Sequence, residues 1–139
     1  MNQSMTLQQL EEVNNMDDRY STIKIDDKEY KLILTTLATK EIGKRYGGLE
    51  KLGDNLMKPE NFELAISEIS WLIMTLANQS IMVENLKNPN EKQELLTQEY
   101  IELMTTPTDL SRYKDAIMEA FQKGIKREIQ SEEQKSKNK

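Results

Sequence analysis

The sequence predicts a mostly α-helical protein with a short N-terminal β-hairpin, an α+β fold in which the hairpin packs on a bundle of four to five helices. Three observations predict it. Apolar and polar residues alternate over residues 20–34, the signature of half-buried strands. Apolar residues then recur at helical spacing over residues 59–78 and again over residues 108–125. Finally, Gly47-Gly48, Pro59, Pro89 and Pro107 mark the ends of the periodic segments.

In the hairpin, Ile23 and Ile25 alternate with Thr22 and Lys24, and Tyr30, Leu32 and Leu34 alternate with Lys31 and Ile33. Asp26-Asp27-Lys28 supplies the turn, because Asp tolerates the left-handed backbone region. One face therefore carries Ile23, Ile25, Tyr30, Leu32 and Leu34. A lone hairpin is marginal in water, so this face requires helices beneath it.

A first helix begins at Thr35 or Thr36, whose hydroxyl caps it, and ends at Tyr46 before Gly47-Gly48. Gly43 inside it carries a mild propensity penalty, with close packing as its expected use. Leu49, Leu52 and Leu56 continue at helical spacing as a short second helix. The strongest helix spans residues 59–78, with Phe62, Ala65, Ile66, Ile69, Leu72, Ile73 and Leu76 as its stripe and Pro59 in the first turn. Residues 78–90 read as a looser connection anchored by Ile81, Met82, Val83 and Leu86. Residues 91–104 read as helical in parts, re-capped at Thr97. After Pro107, Thr108 is the expected cap of a last helix, with Asp109 favourable in its first turn and an apolar face of Leu110, Tyr113, Ile117, Ala120, Phe121, Gly124 and Ile125. The domain reading is a flexible polar arm at 1–19, one hairpin-plus-helices domain at 20–129, and a disordered Lys-rich tail at 130–139.

Composition narrows the chemistry. The 139 residues include eight Met but no Cys and no His. Disulfides, thiolate zinc sites and cysteine nucleophiles are thereby excluded, along with the commonest general base and metal ligand. No Gly-rich phosphate loop, calcium-loop pattern or arranged pair of carboxylates stands in the sequence, so neither an enzyme nor a cofactor is expected. The net charge of −5 argues against a nucleic-acid binder. The charge is uneven, since residues 122–139 hold six basic and three acidic side chains and so sum to +3, leaving −8 for the remainder. The start of the chain lacks the basic residues and apolar run of a signal peptide, and no apolar stretch is long enough for a bilayer, so the expectation is a cytoplasmic protein with no membrane partner.

One helix is apolar beyond its stripe. At 100° per residue, Trp71 and Met74 fall off the stripe of the 59–78 helix, nearer its opposite face. An all-round apolar helix is usually central and buried, which is the plainer account of both residues. The sharper account is a surface that another chain covers, because Met adapts its shape and Trp is enriched at interface hot spots. Met82, Met104 and Met118 are candidates to extend it.

The succession of short motifs carries a resemblance. The hairpin Ile-Lys-Ile-Asp-Asp-Lys-Glu-Tyr-Lys-Leu (23–32) leads into a helix ending Arg45-Tyr46-Gly47-Gly48-Leu49. A leucine-spaced turn, a long apolar helix, a short Leu-Thr-Gln-Glu-Tyr segment (96–100) and a final amphipathic helix follow. This order resembles the tail assembly chaperones of long-tailed siphophages and prophages of Gram-positive bacteria, over about residues 20–125. The polar arm before Tyr20 departs from the pattern, in which the hairpin is often close to the N-terminus. The resemblance implies a non-catalytic protein of the bacterial host cytoplasm, not part of the mature virion. It implies binding to the helical tape measure protein, keeping it soluble, and promotion of tail tube assembly around it, with the tail tube protein as a second partner. It also implies a longer product made by frameshifting in some members. It transfers no binding residue, and self-association is left open. The competing readings are another phage morphogenesis or adaptor protein retained in the particle, and a nucleic-acid-binding regulator that uses the basic tail.

Overall fold

A computed structural model describes residues 19–48, 51–52 and 62–137. The arm at 1–18, most of the short second helix and the first residues of the long apolar helix lie outside these. The chain forms strands β1 (Tyr20–Ile25) and β2 (Lys28–Ile33), followed by helices α1 (Thr36–Tyr46), α2 (Phe62–Lys87), α3 (Gln98–Met104) and α4 (Pro107–Lys137). The protein is mostly helical, with the antiparallel hairpin packed on helices, as the sequence predicts.

The hairpin turns at Asp26-Asp27, one residue shorter than the expected Asp26-Asp27-Lys28, because Lys28 already pairs with Ile25 as the first residue of β2. Asp26 and Asp27 both take positive φ, 49° and 63°, as a two-residue turn closing Ile25 against Lys28 requires. Ile23, Ile25, Tyr30 and Leu32 turn inward and are buried, and Leu34 packs beside them. β2 lies over α2 and β1 over α4. In this register the carbonyls of Tyr20, Lys24 and Lys31 point away from the ladder. Each accepts a bond from a helix: Lys123 Nζ donates to Tyr20 (3.0 Å), Tyr113 Oη to Lys24 (2.6 Å) and Ser80 Oγ to Lys31 (2.8 Å). Both strand edges are thereby tied to helices.

Each helix end has a chemical cause. Thr35 caps α1 by accepting from Ala38 N (3.0 Å), and Gly47 closes it with φ 85°. The cap of α4 is Thr106, not the expected Thr108. Thr106 Oγ1 accepts from Asp109 N (3.3 Å) while Asp109 Oδ2 accepts from Thr106 N (2.9 Å), a reciprocal box that places Pro107 at the first helical position. This backbone bond, and then the Arg112 guanidinium, holds the Asp109 carboxyl below its usual range.

Three further expectations need correction. First, α2 does not end at Asn78 but runs to Lys87, where Pro89 disfavours helical backbone at the preceding residue. Second, Gly43 is not a close-packing site, because a Cβ there would meet nothing within 4 Å. Gly124 is one, since its Cβ would stand 2.9 Å from Leu34 Cβ. Third, α4 continues through residues 130–137, where a disordered tail is expected; the Glu, Gln and Lys there are good helix formers with no breaker among them.

The core joins the inner hairpin face to α2 and α4. Leu32, Ala38, Ile42, Leu72, Ile73, Leu76, Ile101, Ile117 and Ala120 are fully buried. Ile125, placed on the apolar face of the last helix by periodicity, is exposed instead. Leu52, from the short second helix, is also buried in the core.

Candidate functional site

α2 is enclosed around most of its circumference. Buried residues occupy every direction except one narrow seam, where Ser67, Trp71, Met74, Asn78, Met82 and Asn85 are all half-buried. Three of the five candidate residues, Trp71, Met74 and Met82, therefore share one face of α2. Met118 is half-buried on α4 and packs against the core, as Met74 does. Met104 ends α3 and is the most exposed of the five, at 40%.

Trp71 already has intramolecular partners. Tyr46 meets it edge-on, with ring centroids 6.0 Å apart at 71°. The Arg45 guanidinium lies 4.5 Å from the Trp71 ring centroid and also bonds Glu68, Nε to Oε2 at 3.2 Å and Nη2 to Oε1 at 3.4 Å. Tyr46 Oη donates to the same carboxylate. Arg45 thus ties the end of α1 to α2 across Glu68 and Trp71.

The other side of the seam is covered by the chain itself. Residues 88–97, ahead of α3, form an extended strap that runs back along α2. Asn85 pairs its side-chain amide with the backbone of Gln93, donating to O (3.0 Å) and accepting from N (2.8 Å). Asn78, two turns earlier on the same face, does the same to Leu96 at 3.0 and 2.8 Å. Each asparagine replaces one rung of a β-ladder. Further along, Gln98 Nε2 donates to Ser67 O (2.9 Å) and Ser70 Oγ (3.0 Å), and the Ser70 hydroxyl donates to Glu102 Oε1 (2.9 Å). Thr97 caps α3 as expected, accepting from Tyr100 N at 3.0 Å.

Little apolar burial holds this segment. Ile101 is its one fully buried side chain, with Leu96 packed partly against the core. Leu95, Leu103, Met104 and part of Tyr100 face outward, Leu103 with 75% exposure. Tyr100 also stands beside Tyr30, whose phenol is raised above its ordinary pKa by burial first and by the Tyr100 side chain second. At the far end of α2, Val83 is exposed and Leu86 is 84% exposed.

Leu86, Leu95 and Leu103 are absent from the candidates drawn from sequence. Leu86 is hidden because residues 78–90 read as a connection, and Leu103 because a seven-residue helix shows no stripe. Among the described residues, no group of three carboxylates could hold a metal ion, and no helix is long and apolar enough to cross a membrane. Comparisons with known protein families, curated proteins and solved structures each find no match.

Proposed function

We propose that this chain is a tail assembly chaperone, which binds and solubilises a tape measure protein in the bacterial cytoplasm, promotes tail tube assembly around it and leaves before the virion matures. The order of elements supports the reading: a hairpin, a helix ending at Gly47-Gly48, a long central helix, a short Thr97-capped helix and a final amphipathic helix follow the family's succession. The observation that carries it is the segment 88–105. Singly exposed leucines are ordinary, but this segment presents Leu95, Leu103 and Met104 together while its own attachment is mainly polar. A helical client with repeated apolar faces matches such a surface, and many copies along one client give avidity without a tight single site.

The test is co-expression with the tape measure protein encoded downstream in the source genome, followed by affinity capture through this chain. The proposal expects the tape measure to become soluble and to co-purify. A tape measure that stays insoluble beside a folded, soluble chain contradicts it.

A further inference from the structure

A groove of about 390 Å³ runs between β2, the C-terminal half of α2 and the start of the strap. Ile33, Ala77, Ile81 and Val83 give it an apolar lining, and Ile33 is the outward-facing residue of β2 that the core does not use. The rim is basic: Arg19, Lys28, Lys31 and Lys87 stand against Glu29 and Glu84, a sum of +2 in a chain whose net charge is −5. Among the described residues, Lys28, Lys31 and Lys87 form no ion pair with a carboxylate. Lys28 and Lys31 lie instead over the rings of Tyr30 and Tyr20, at 5.3 and 4.7 Å. An apolar floor within a cationic rim suits an acidic amphipathic segment.

We propose that the groove is the docking site of the chain's own N-terminal arm, residues 1–18. The arm joins the described fold at Arg19, a residue of the rim itself. It contains no Lys or Arg and carries Glu11, Glu12, Asp17 and Asp18, a side-chain charge of −4 that opposes the rim. Leu7, Leu10 and Val13 supply apolar residues for the floor. Length is no obstacle: eighteen residues reach roughly 27 Å as a helix and roughly 60 Å extended. The arm would shield Ile81 and Val83 and neutralise the three lysines. Occupancy by the arm does not depend on what the client is.

The absence of cysteine permits a clean test in the full chain. A nitroxide is attached through Gln9→Cys, and paramagnetic broadening is read in the ¹⁵N spectrum of the same chain. The expected result is loss of most signal intensity at the amides of residues 29–33 and 77–83. Intensity should return at high salt, and in the arm variant carrying Glu11→Lys, Glu12→Lys, Asp17→Lys and Asp18→Lys, in which every residue of the groove is unchanged. Adding Lys28→Glu, Lys31→Glu and Lys87→Glu to that variant should restore the broadening, provided its spectrum retains native dispersion. Broadening that is absent, centred elsewhere or indifferent to charge reversal overturns the proposal. Equal broadening when nitroxide-labelled chain of natural-abundance nitrogen is mixed with unmodified ¹⁵N chain overturns docking within one chain and assigns the groove to the arm of a second copy.

Discussion

The hairpin–α2–α4 body and the strap-plus-α3 segment rest on the same helix but are held to it by different forces. The body is joined by apolar burial: Leu32, Leu72, Ile73, Leu76 and Ile117 are all fully buried, and the polar groups near them serve mainly to tie down strand carbonyls. The strap is joined by side-chain amides, Asn78 and Asn85 standing in for a neighbouring strand and Gln98 reaching back to α2, and it leaves Leu95, Leu103 and Met104 outside. Apolar burial is non-directional and adds up over area, whereas each exposed hydrogen bond nets little because water competes for it. On these grounds local opening is expected to begin at the strap and to leave the body intact.

The sharpest way to break this comparison is to remove apolar volume from the body. Leu72→Ala should cost about 2–5 kcal/mol, read as a large fall in the denaturation midpoint, because Leu72 is fully buried with its surroundings close-packed. A small cost would mean that the core is not where stability resides. Next in size is the pair of glycines. Gly124→Ala should destabilise by about 1–3 kcal/mol, since the new methyl group would force Leu34 and α4 apart. Gly43→Ala should stabilise by about 0.5–1 kcal/mol, because its site is open and helical. Equal signs for the two would contradict the packing described.

Asn78→Ala should cost about 1 kcal/mol globally and act mainly on the strap. Native-state hydrogen exchange should speed up at the Leu96 amide, which loses its acceptor, and stay slow at the amides of Leu72 and Ile73. Uniform acceleration would show that strap and body open as one unit.

Titration separates the regions more gently. Burial raises the phenols of Tyr30 and Tyr113 above the ordinary value of 10.0. A raised folded pKa contributes stability that is complete below the unfolded value and is lost as pH climbs through the folded one, so the body should weaken above about pH 10. Tyr113→Phe should flatten that alkaline loss. Asp109 behaves oppositely: its lowered carboxyl supports the α4 cap at neutral pH and loses that role as pH falls through its folded pKa, below 3.8. Asp109→Asn should reduce the acid sensitivity, read from midpoints between pH 2 and 5.

Much of the body is legible in the chain because its signals are local. Alternation places Ile23, Ile25, Tyr30 and Leu32, and the Asp26-Asp27 turn follows from residue chemistry. Thr35, Gly47 and Thr97 mark helix ends by rules that operate within four residues. The misreading of α2 beyond Asn78 has a physical origin. Asn78, Ser80 and Asn85 have modest helix propensity and with Gln79 make a polar run that resembles a loop, yet each of the four spends its polar group on a distant partner. Gln79 bonds Thr75 O and the Thr35 hydroxyl, Ser80 bonds the edge of β2, and the two asparagines hold the strap. These are tertiary roles, invisible to periodicity. Thr106 was readable as the α4 cap, because Pro favours the first helical position and so points one residue back. Gly43 and Gly124 look alike in sequence, and only the neighbouring element tells them apart.

For the candidate surface, the off-stripe position of Trp71 and Met74 was readable, and both do lie on the one incompletely enclosed face of α2. The packing of Trp71 against Arg45 and Tyr46 was not, since those partners sit on another helix. Leu103 drew no notice because one short helix turn has no amphipathic pattern to read.

The most direct test of a self-sufficient body carrying a client surface on a lightly held strap is Leu103→Glu, scored for both stability and client rescue. The account predicts a denaturation midpoint within about 0.5 kcal/mol of the parent chain, as for an exposed site, together with a clear fall in soluble tape measure protein on co-expression. Unchanged rescue by a folded Leu103→Glu chain would contradict it and move the client surface elsewhere on the molecule.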